Sequence, residues 1–336
     1  MRASRGIFLK RSVIFIGLIL AAGIAFAIGI VNPHTEQQEI LSPGMQIPGM
    51  QIPGFQAELA VALRPAEDFQ PSRAERITRA LVQAYPGRIT QVEFRNGDWA
   101  VLLRGTWFYY AGGRMMPGQF LYRMDNYRPL AFYDSYPRYM PAWTPPTPEQ
   151  ADRFRGASAS RAALLPRAPY FFDTLYQARS REESSRRVTP INFLGRRVTV
   201  HNDIIQELEL VQARIMAAAR TDAQVQTWVN EIDRMYGWNW RNVGGTQSRS
   251  FHAYGVAVDI IPRNLGGRAI YWRWAGPNWW NIPHERRHHP PDAVVQAFEA
   301  YGFVWGGKWS FFDTIHFEFR PEVMILAGIE LTTVAR

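Results

Sequence analysis

The stretch Ser250-Phe251-His252-Ala253-Tyr254-Gly255-Val256-Ala257-Val258-Asp259-Ile260-Ile261 decides how this chain is read. Val256, Val258, Ile260 and Ile261 are β-formers, which places Asp259 on a buried strand. A carboxylate in that setting is costly unless its charge is paired or binds a metal. His252 stands seven positions before Asp259, with Gly255 between them to permit a turn or a close backbone approach. A second stretch, Asp313-Thr314-Ile315-His316-Phe317-Glu318-Phe319, has the same make-up. If it is a strand, alternation puts Thr314, His316 and Glu318 on one face and Ile315, Phe317 and Phe319 on the other. A single buried histidine is usually a core residue, and one aspartate near a turn is usually a cap. Two stretches that each pair a histidine with an acid among apolar β-formers weaken that plainer reading.

Composition sets the outer limits. The 336 residues suffice for two modest domains or for one with additions, and 47% hydrophobic content allows a packed core. There is no cysteine, which excludes disulfides, thiolate metal sites and a thiol nucleophile, though not export. The net charge of +9 is carried almost wholly by arginine, because Lys10 and Lys308 are the only lysines. The arginines are scattered and no nucleic-acid motif accompanies them, so we expect no nucleic-acid partner.

Residues 1–11 carry Arg2, Arg5, Lys10 and Arg11, and Val13 to Val31 follow without a charge. This pattern is an export signal with its N-terminus in the cytoplasm. The run is long enough to span a bilayer, which favours an uncleaved anchor in the inner membrane, although Ala25-Phe26-Ala27 offers a cleavage site that would release a secreted form. Residues 32–57 repeat Pro-Gly every five positions (Pro43-Gly44, Pro48-Gly49, Pro53-Gly54) and read as a tether.

Residues 58–150 read as a small accessory region. A helix over Ser72–Tyr85 has Ser72 as cap and Glu75 in capping-box position, and strands are expected over 89–94, 99–103 and 106–110, with Asn96-Gly97 and Arg104-Gly105 as turns. Phe120 to Pro148 is expected to wrap its surface. Residues 151–189 form a linking segment with a helix up to Arg187. Residues 190–330 are the expected catalytic domain. In it, a helix capped by Asn202 or Asp203 carries Ile204, Ile205, Leu208, Val211, Ile215 and Met216, and a second runs from Asp222 to Met235.

A hydrolytic zinc site needs three protein ligands, an open fourth position for water, and a carboxylate near that water. Ser250-x-His252-x-x-Gly255-x-Ala257-x-Asp259, then Gly302-Phe303-x-Trp305-Gly306-Gly307-x-Trp309, then Asp313-x-x-His316-Phe317-Glu318, occur in that order. The set resembles the D-alanyl-D-alanine carboxypeptidase and L-alanyl-D-glutamate endopeptidase superfamily of zinc peptidases, its phage endolysin-like branch more than its VanY-type branch. The resemblance covers roughly residues 190–325 and leaves out the N-terminal half. It implies that His252, Asp259 and His316 hold one zinc ion and that Asp313 is the general base, where VanY-type relatives carry Glu. It also implies that Ser250 supports the site and that Arg241 engages a substrate carboxylate or the oxyanion. The alternative for Arg241 is an ordinary surface arginine. Glu318 would orient a ligand.

The chain departs from that pattern between Asp259 and Phe303. A Trp-rich insert, Tyr271 to Trp280, precedes His284-Glu285-Arg286-Arg287-His288-His289. This cluster is expected as an exposed loop over the cleft, selecting substrate rather than binding metal. A helix capped by Asp292 follows and closes at Gly302.

The fold class is α+β: an antiparallel sheet carries a mononuclear zinc site, with flanking helices and a small N-terminal accessory region. The expected function is zinc-dependent hydrolysis of peptidoglycan stem peptide outside the cytoplasm, by endopeptidase or D,D-carboxypeptidase action. The rival readings are a non-catalytic wall-binding module of the same fold and a membrane-tethered scaffold.

Overall fold

The structure is a computed structural model in which residues 71–132 and 136–332 are described. The apolar run Val13–Val31 and the Pro-Gly tether lie outside those residues. Among the described residues no helix is long and apolar enough to cross a membrane.

Helix α1 (Arg73–Ala84) starts where expected, with the Ser72 hydroxyl accepting from Glu75 N at 3.1 Å. Only half of the capping box forms, because the Glu75 carboxylate turns instead to Arg79 at 2.9 Å. Ile77, Ala80, Leu81 and Ala84 form the buried stripe. An antiparallel meander follows: β1 (Ile89–Arg95), β2 (Asp98–Leu103), β3 (Thr106–Tyr109) and the short β4 (Met116–Pro117). The turns work because Asn96, Gly97, Arg104 and Gly105 all take positive φ, as a tight hairpin between twisted strands requires. The aromatic stretch after β4 contributes a 3-10 helix over Gly118–Asn126.

The linking segment is not one helix. Helix α2 (Pro148–Ala159), with a complete Thr147–Gln150 capping box, gives way to a 3-10 turn, then α3 (Tyr170–Leu175) and α4 (Arg181–Ser185). Pro166 and Pro169 lie between α2 and α3, where a continuous helix would need backbone N–H donors they lack. A hairpin not foreseen from the sequence comes next, β5 (Val188–Phe193) and β6 (Arg196–His201), turned by Leu194 and Gly195 at positive φ.

Helix α5 (Ile205–Ala218) is preceded by a 3-10 turn over Asn202–Ile204, so neither Asn202 nor Asp203 caps it; the His201 imidazole accepts from Asp203 N at 3.1 Å instead. Leu208, Val211 and Ile215 are buried, but Met216 is exposed. Helix α6 (Ala223–Glu231) is capped by Asp222 and stops four residues short of the expected Met235. Ile232–Tyr236 forms β7 instead, because pairing with the next strand satisfies its backbone while Ile232 and Met235 still reach the core.

The second sheet has the order β7, β8 (Ala257–Pro262), β10 (His316–Phe319), β9 (Phe303–Trp305), antiparallel throughout. Opposite residues of an antiparallel pair share a face. Val258, Phe317 and Trp305 are aligned in register and so line one face; Phe298 of α8 (Asp292–Ala300) stacks on Phe317 at 3.9 Å. Pro291, not Asp292, occupies the cap position of α8, and no side chain caps it. The other face carries Asp259 directly opposite His316. One hydrophobic core runs from Ile77 and Leu81 of α1 through Phe171, Leu208, Val258 and Phe298 to Phe319, so the N-terminal helix and meander share the core of the second sheet. The fold is α+β, as the sequence indicated.

Candidate metal centre

Three side chains converge on the open face of β8 and β10. Asp259 and His316 arrive there by strand register, and His252 by a single helical turn, α7 (Phe251–Tyr254). Ser250 caps α7, its hydroxyl accepting from His252 N at 3.3 Å, and its own N–H donates to the Arg241 carbonyl at 3.1 Å. Gly255 closes the turn in the left-handed region at φ 75°. A Cβ there would stand 2.7 Å from the Val188 side chain and 2.9 Å from His201 N, so only glycine lets the chain double back under β6.

His252 Nε2 lies 3.2 Å from Asp259 Oδ1 and 3.2 Å from His316 Nδ1, and the latter two atoms are 2.9 Å apart. These three residues are, among the described residues, the one group of histidines and acids arranged to hold a metal ion. The opposite nitrogen of each ring fixes its tautomer. His252 Nδ1–H donates to the Gly237 carbonyl at 2.7 Å, and His316 Nε2–H donates to Glu318 Oε2 at 3.2 Å. Both remaining ring nitrogens are then lone-pair acceptors facing a carboxylate oxygen, and three acceptors in contact need a proton or a cation between them. Three ligands at about 2.0–2.1 Å from one tetrahedral ion sit roughly 3.3 Å apart. The observed 2.9–3.2 Å separations suit that arrangement with little movement.

Burial alone would raise the Asp259 carboxyl, but the charge of His252 and hydrogen bonds from both imidazoles hold it well below the usual carboxylate range. Burial would likewise depress His316, yet hydrogen bonds to Asp259 and Glu318, and the charges of both, push it up to about 10. Without a cation, the proton it retains serves as the missing positive charge.

Asp313 is partly buried at the edge of the same cavity, and its Oδ1 has no hydrogen-bond donor among the described residues. Burial pushes this carboxyl up, His316 and Arg241 pull it down, Asp259 and Glu318 raise it again, and the balance is about 7. A buried carboxylate oxygen with no donor, poised to hold or release a proton near neutrality, is what a general base needs. Arg241 is exposed on the rim, close enough for its charge to act on Asp313.

The Trp-Gly-Gly-x-Trp stretch has a steric reason. A Cβ on Gly306 would lie 2.6 Å from the Asp313 carbonyl, and one on Gly307 would lie 2.1 Å from the Trp305 ring. Trp305 is pinned by its indole N–H to the Thr314 carbonyl at 2.8 Å. Trp309 brings its ring to 5.5 Å from that of His316.

Two expectations fail locally. Thr314 is not on the polar face of β10; it sits in the preceding turn, with its hydroxyl on the Ile270 carbonyl at 3.3 Å. The 284–289 cluster does not lie over the cleft: none of its residues lines the cavity, and of the six only Glu285 and Arg286 are exposed. Arg287 is buried, donates to the Ile282 carbonyl and lies 4.2 Å over the Phe312 ring; His288 is buried and pushed down to about 4; His289 packs on Trp305. Packing on those aromatic rings outweighs solvation of the guanidinium and imidazoles. The cleft is walled instead by Tyr271, Trp272, Arg273 and Trp274 of the preceding insert.

Some contributors escaped the sequence reading. The Gly237 carbonyl, which sets the His252 tautomer, is a backbone atom with no signal of its own. Arg320 was legible in principle, because it continues the alternation of His316 and Glu318 by two; it is fully buried, with Nη1 3.5 Å from Glu318 Oε1.

No solved structure matches the chain. A model of a domain of unknown function matches residues 78–132, which span most of α1 and the meander. The model of the D-alanyl-D-alanine carboxypeptidase family matches residues 244–319. That span contains His252, Asp259, Asp313, His316 and Glu318, and the resemblance read from the three motifs stands: this segment is one of the D-alanyl-D-alanine carboxypeptidase superfamily of peptidases.

Proposed function

We propose that the protein is a zinc-dependent peptidase that hydrolyses peptide bonds in the peptidoglycan stem peptide. The convergence of His252 Nε2, Asp259 Oδ1 and His316 Nδ1, beside the donorless Oδ1 of Asp313, carries this reading. A set of two imidazoles and one carboxylate suits zinc. When bound, zinc supplies Lewis acidity toward water and toward a scissile carbonyl.

The chain's own groups do the rest. Gly237 and Glu318 hold both imidazoles with their lone pairs toward Asp259, where they would hold the ion. Asp313 accepts the proton of the attacking water on its carboxylate and returns it to the leaving amine. Arg241 offers a rigid guanidinium fork to a substrate carboxylate or to the developing oxyanion. Asp313 favours hydrolysis over wall binding alone, since binding requires no base. The apolar run Val13–Val31 would deliver the site outside the cytoplasm, anchored to the inner membrane or released from it.

The test is digestion of purified muropeptides by the zinc-loaded protein, with products read by mass spectrometry. New amine and carboxylate termini should appear, vanish on chelation, return with zinc, and be absent for Asp313→Asn. Full activity in the metal-free protein would sink the proposal.

A further inference from the structure

The cavity around the triad has a volume of about 1120 Å³ and draws its walls from well outside residues 244–319. Arg167 enters from the linking segment, Arg241 from the loop after β7, and Arg273 from the Trp-rich insert. The acidic residues lining this cavity, among the described residues, are Asp259, Asp313 and Glu318. Asp259 faces the two imidazoles, and Glu318 is engaged by His316 and Arg320. Against these three carboxylates the lining sets Arg128, Arg161 and Lys308 besides the three arginines Arg167, Arg241 and Arg273.

Each of the three is seated. Arg167 lies 5.9 Å over the Phe251 ring, next to His252, and its charge acts on Glu318. Arg241 acts on Asp313. Arg273 rests against the Gly244-Gly245 backbone, where a Cβ on Gly245 would come within 2.9 Å of its Nη1, and it also acts on the Tyr271 phenol. One guanidinium suffices for the terminal carboxylate of a neutral peptide. Three around one cleft provide for further negative charge.

We propose that the cleft selects acidic peptides: substrates that carry at least one free side-chain or branch carboxylate besides the terminal one, recognised by Arg167 and Arg273. The inference rests on the peptidase reading and specifies its substrate. A stem peptide with its glutamate α-carboxylate free would be cut in preference to the same peptide amidated there. Amidation removes the charge and keeps the shape, so this pair isolates recognition of the carboxylate.

The experiment compares kcat/KM of the zinc-loaded full chain on acetyl-L-Ala-γ-D-Glu-L-Lys-D-Ala-D-Ala with the glutamate carboxylate free or as the carboxamide. We expect the free acid to be preferred about two- to tenfold at low salt, as for partly exposed ion pairs, with the ratio shrinking toward one near 1 M salt. Arg167→Gln and Arg273→Gln should each reduce the ratio; Arg273 is exposed, so its replacement leaves the fold intact. Equal rates on the two peptides, or an unchanged ratio in both variants, overturn the proposal. Inhibition by millimolar phosphate with no carboxylate preference would assign the arginines to phosphate and also overturn it. If neither peptide is cut, the hydrolase reading fails, and calorimetry of both peptides with the Asp313→Asn protein still decides: tighter binding of the acid supports the proposal, and equal binding refutes it.

Discussion

The Tyr85 hydroxyl donates to Glu322 Oε2 at 2.7 Å, joining the end of α1 to the first turn of α9 (Pro321–Leu326) across 237 positions of sequence. Glu322 Oε1 accepts from Arg320 Nε at 2.5 Å, Arg320 reaches Glu318, and Glu318 holds the His316 ring. The residues at 316, 318, 320 and 322 thus form a buried polar line from the metal-site imidazole to the N-terminal helix. Tyr85→Phe leaves a fully buried carboxylate oxygen without its donor. The expected loss is about 1–3 kcal/mol of unfolding free energy, measured by urea denaturation. A loss under a few tenths would mean that Arg320 alone satisfies Glu322.

Metal uptake should depend on the triad and on its support to different degrees. His252→Ala or His316→Ala should take bound zinc from one ion per chain to none by elemental analysis after gel filtration. Glu318→Gln keeps an acceptor for His316 Nε2–H but removes the charge, and should weaken zinc by about 10- to 100-fold in chelator competition. Wild-type affinity in Glu318→Gln would rule out that role.

Zinc binding should strengthen as pH rises. In the metal-free protein His316 is pushed up to about 10, so it is protonated at neutral pH, and the ion must displace that proton. One proton released per ion corresponds to about tenfold in apparent affinity per pH unit below that value, checked by competition titrations from pH 6 to 9. For the metal-free protein the sign is opposite. A raised imidazole stabilises the fold fully below its unfolded value of about 6.5 and loses that contribution as pH rises through about 10. A flat zinc affinity across this range would mean that no proton occupies the site.

Two glycines should respond in opposite directions to the same substitution. Gly307→Ala drives a methyl into the Trp305 ring, whose indole N–H is held by the Thr314 carbonyl and whose backbone N–H donates to the Tyr136 hydroxyl at 3.0 Å, so the cost should reach about 3 kcal/mol. Gly156→Ala in α2 meets nothing within 4 Å and should stabilise by about 0.5–1 kcal/mol. Thermal melts of the two variants against wild type would check both signs.

The features legible in the sequence were those whose cause is local. Alternation around Asp259 and His316 placed both on strands, and the Asn96-Gly97 and Arg104-Gly105 pairs set their turns, because these patterns are written within a few residues. What was misread depended on distant partners. Ile232 continues the helical spacing of Val225, Trp228 and Val229, and only pairing with β8 makes it a strand. Asp203 looks like a cap until the His201 ring takes its N–H. Arg287 and His288 look like surface until Phe312 and neighbouring backbone enclose them. The seats of Arg167 and Arg273 depend on tertiary packing in the same way.

The carbonyl of Gly237 lies seven residues ahead of the 244–319 segment, and Tyr85 far ahead of it, yet both bear on the imidazoles. The similarity to known peptidases therefore marks a stretch of shared ancestry, not a portable cassette. Grafted alone into another scaffold, residues 244–319 would arrive with the His252 tautomer unset and Glu318 without Arg320. Recombination between relatives that swapped only this stretch would inherit the ligands without the scaffold that aims them. The aim of the two imidazoles thus depends on residues on both sides of that stretch.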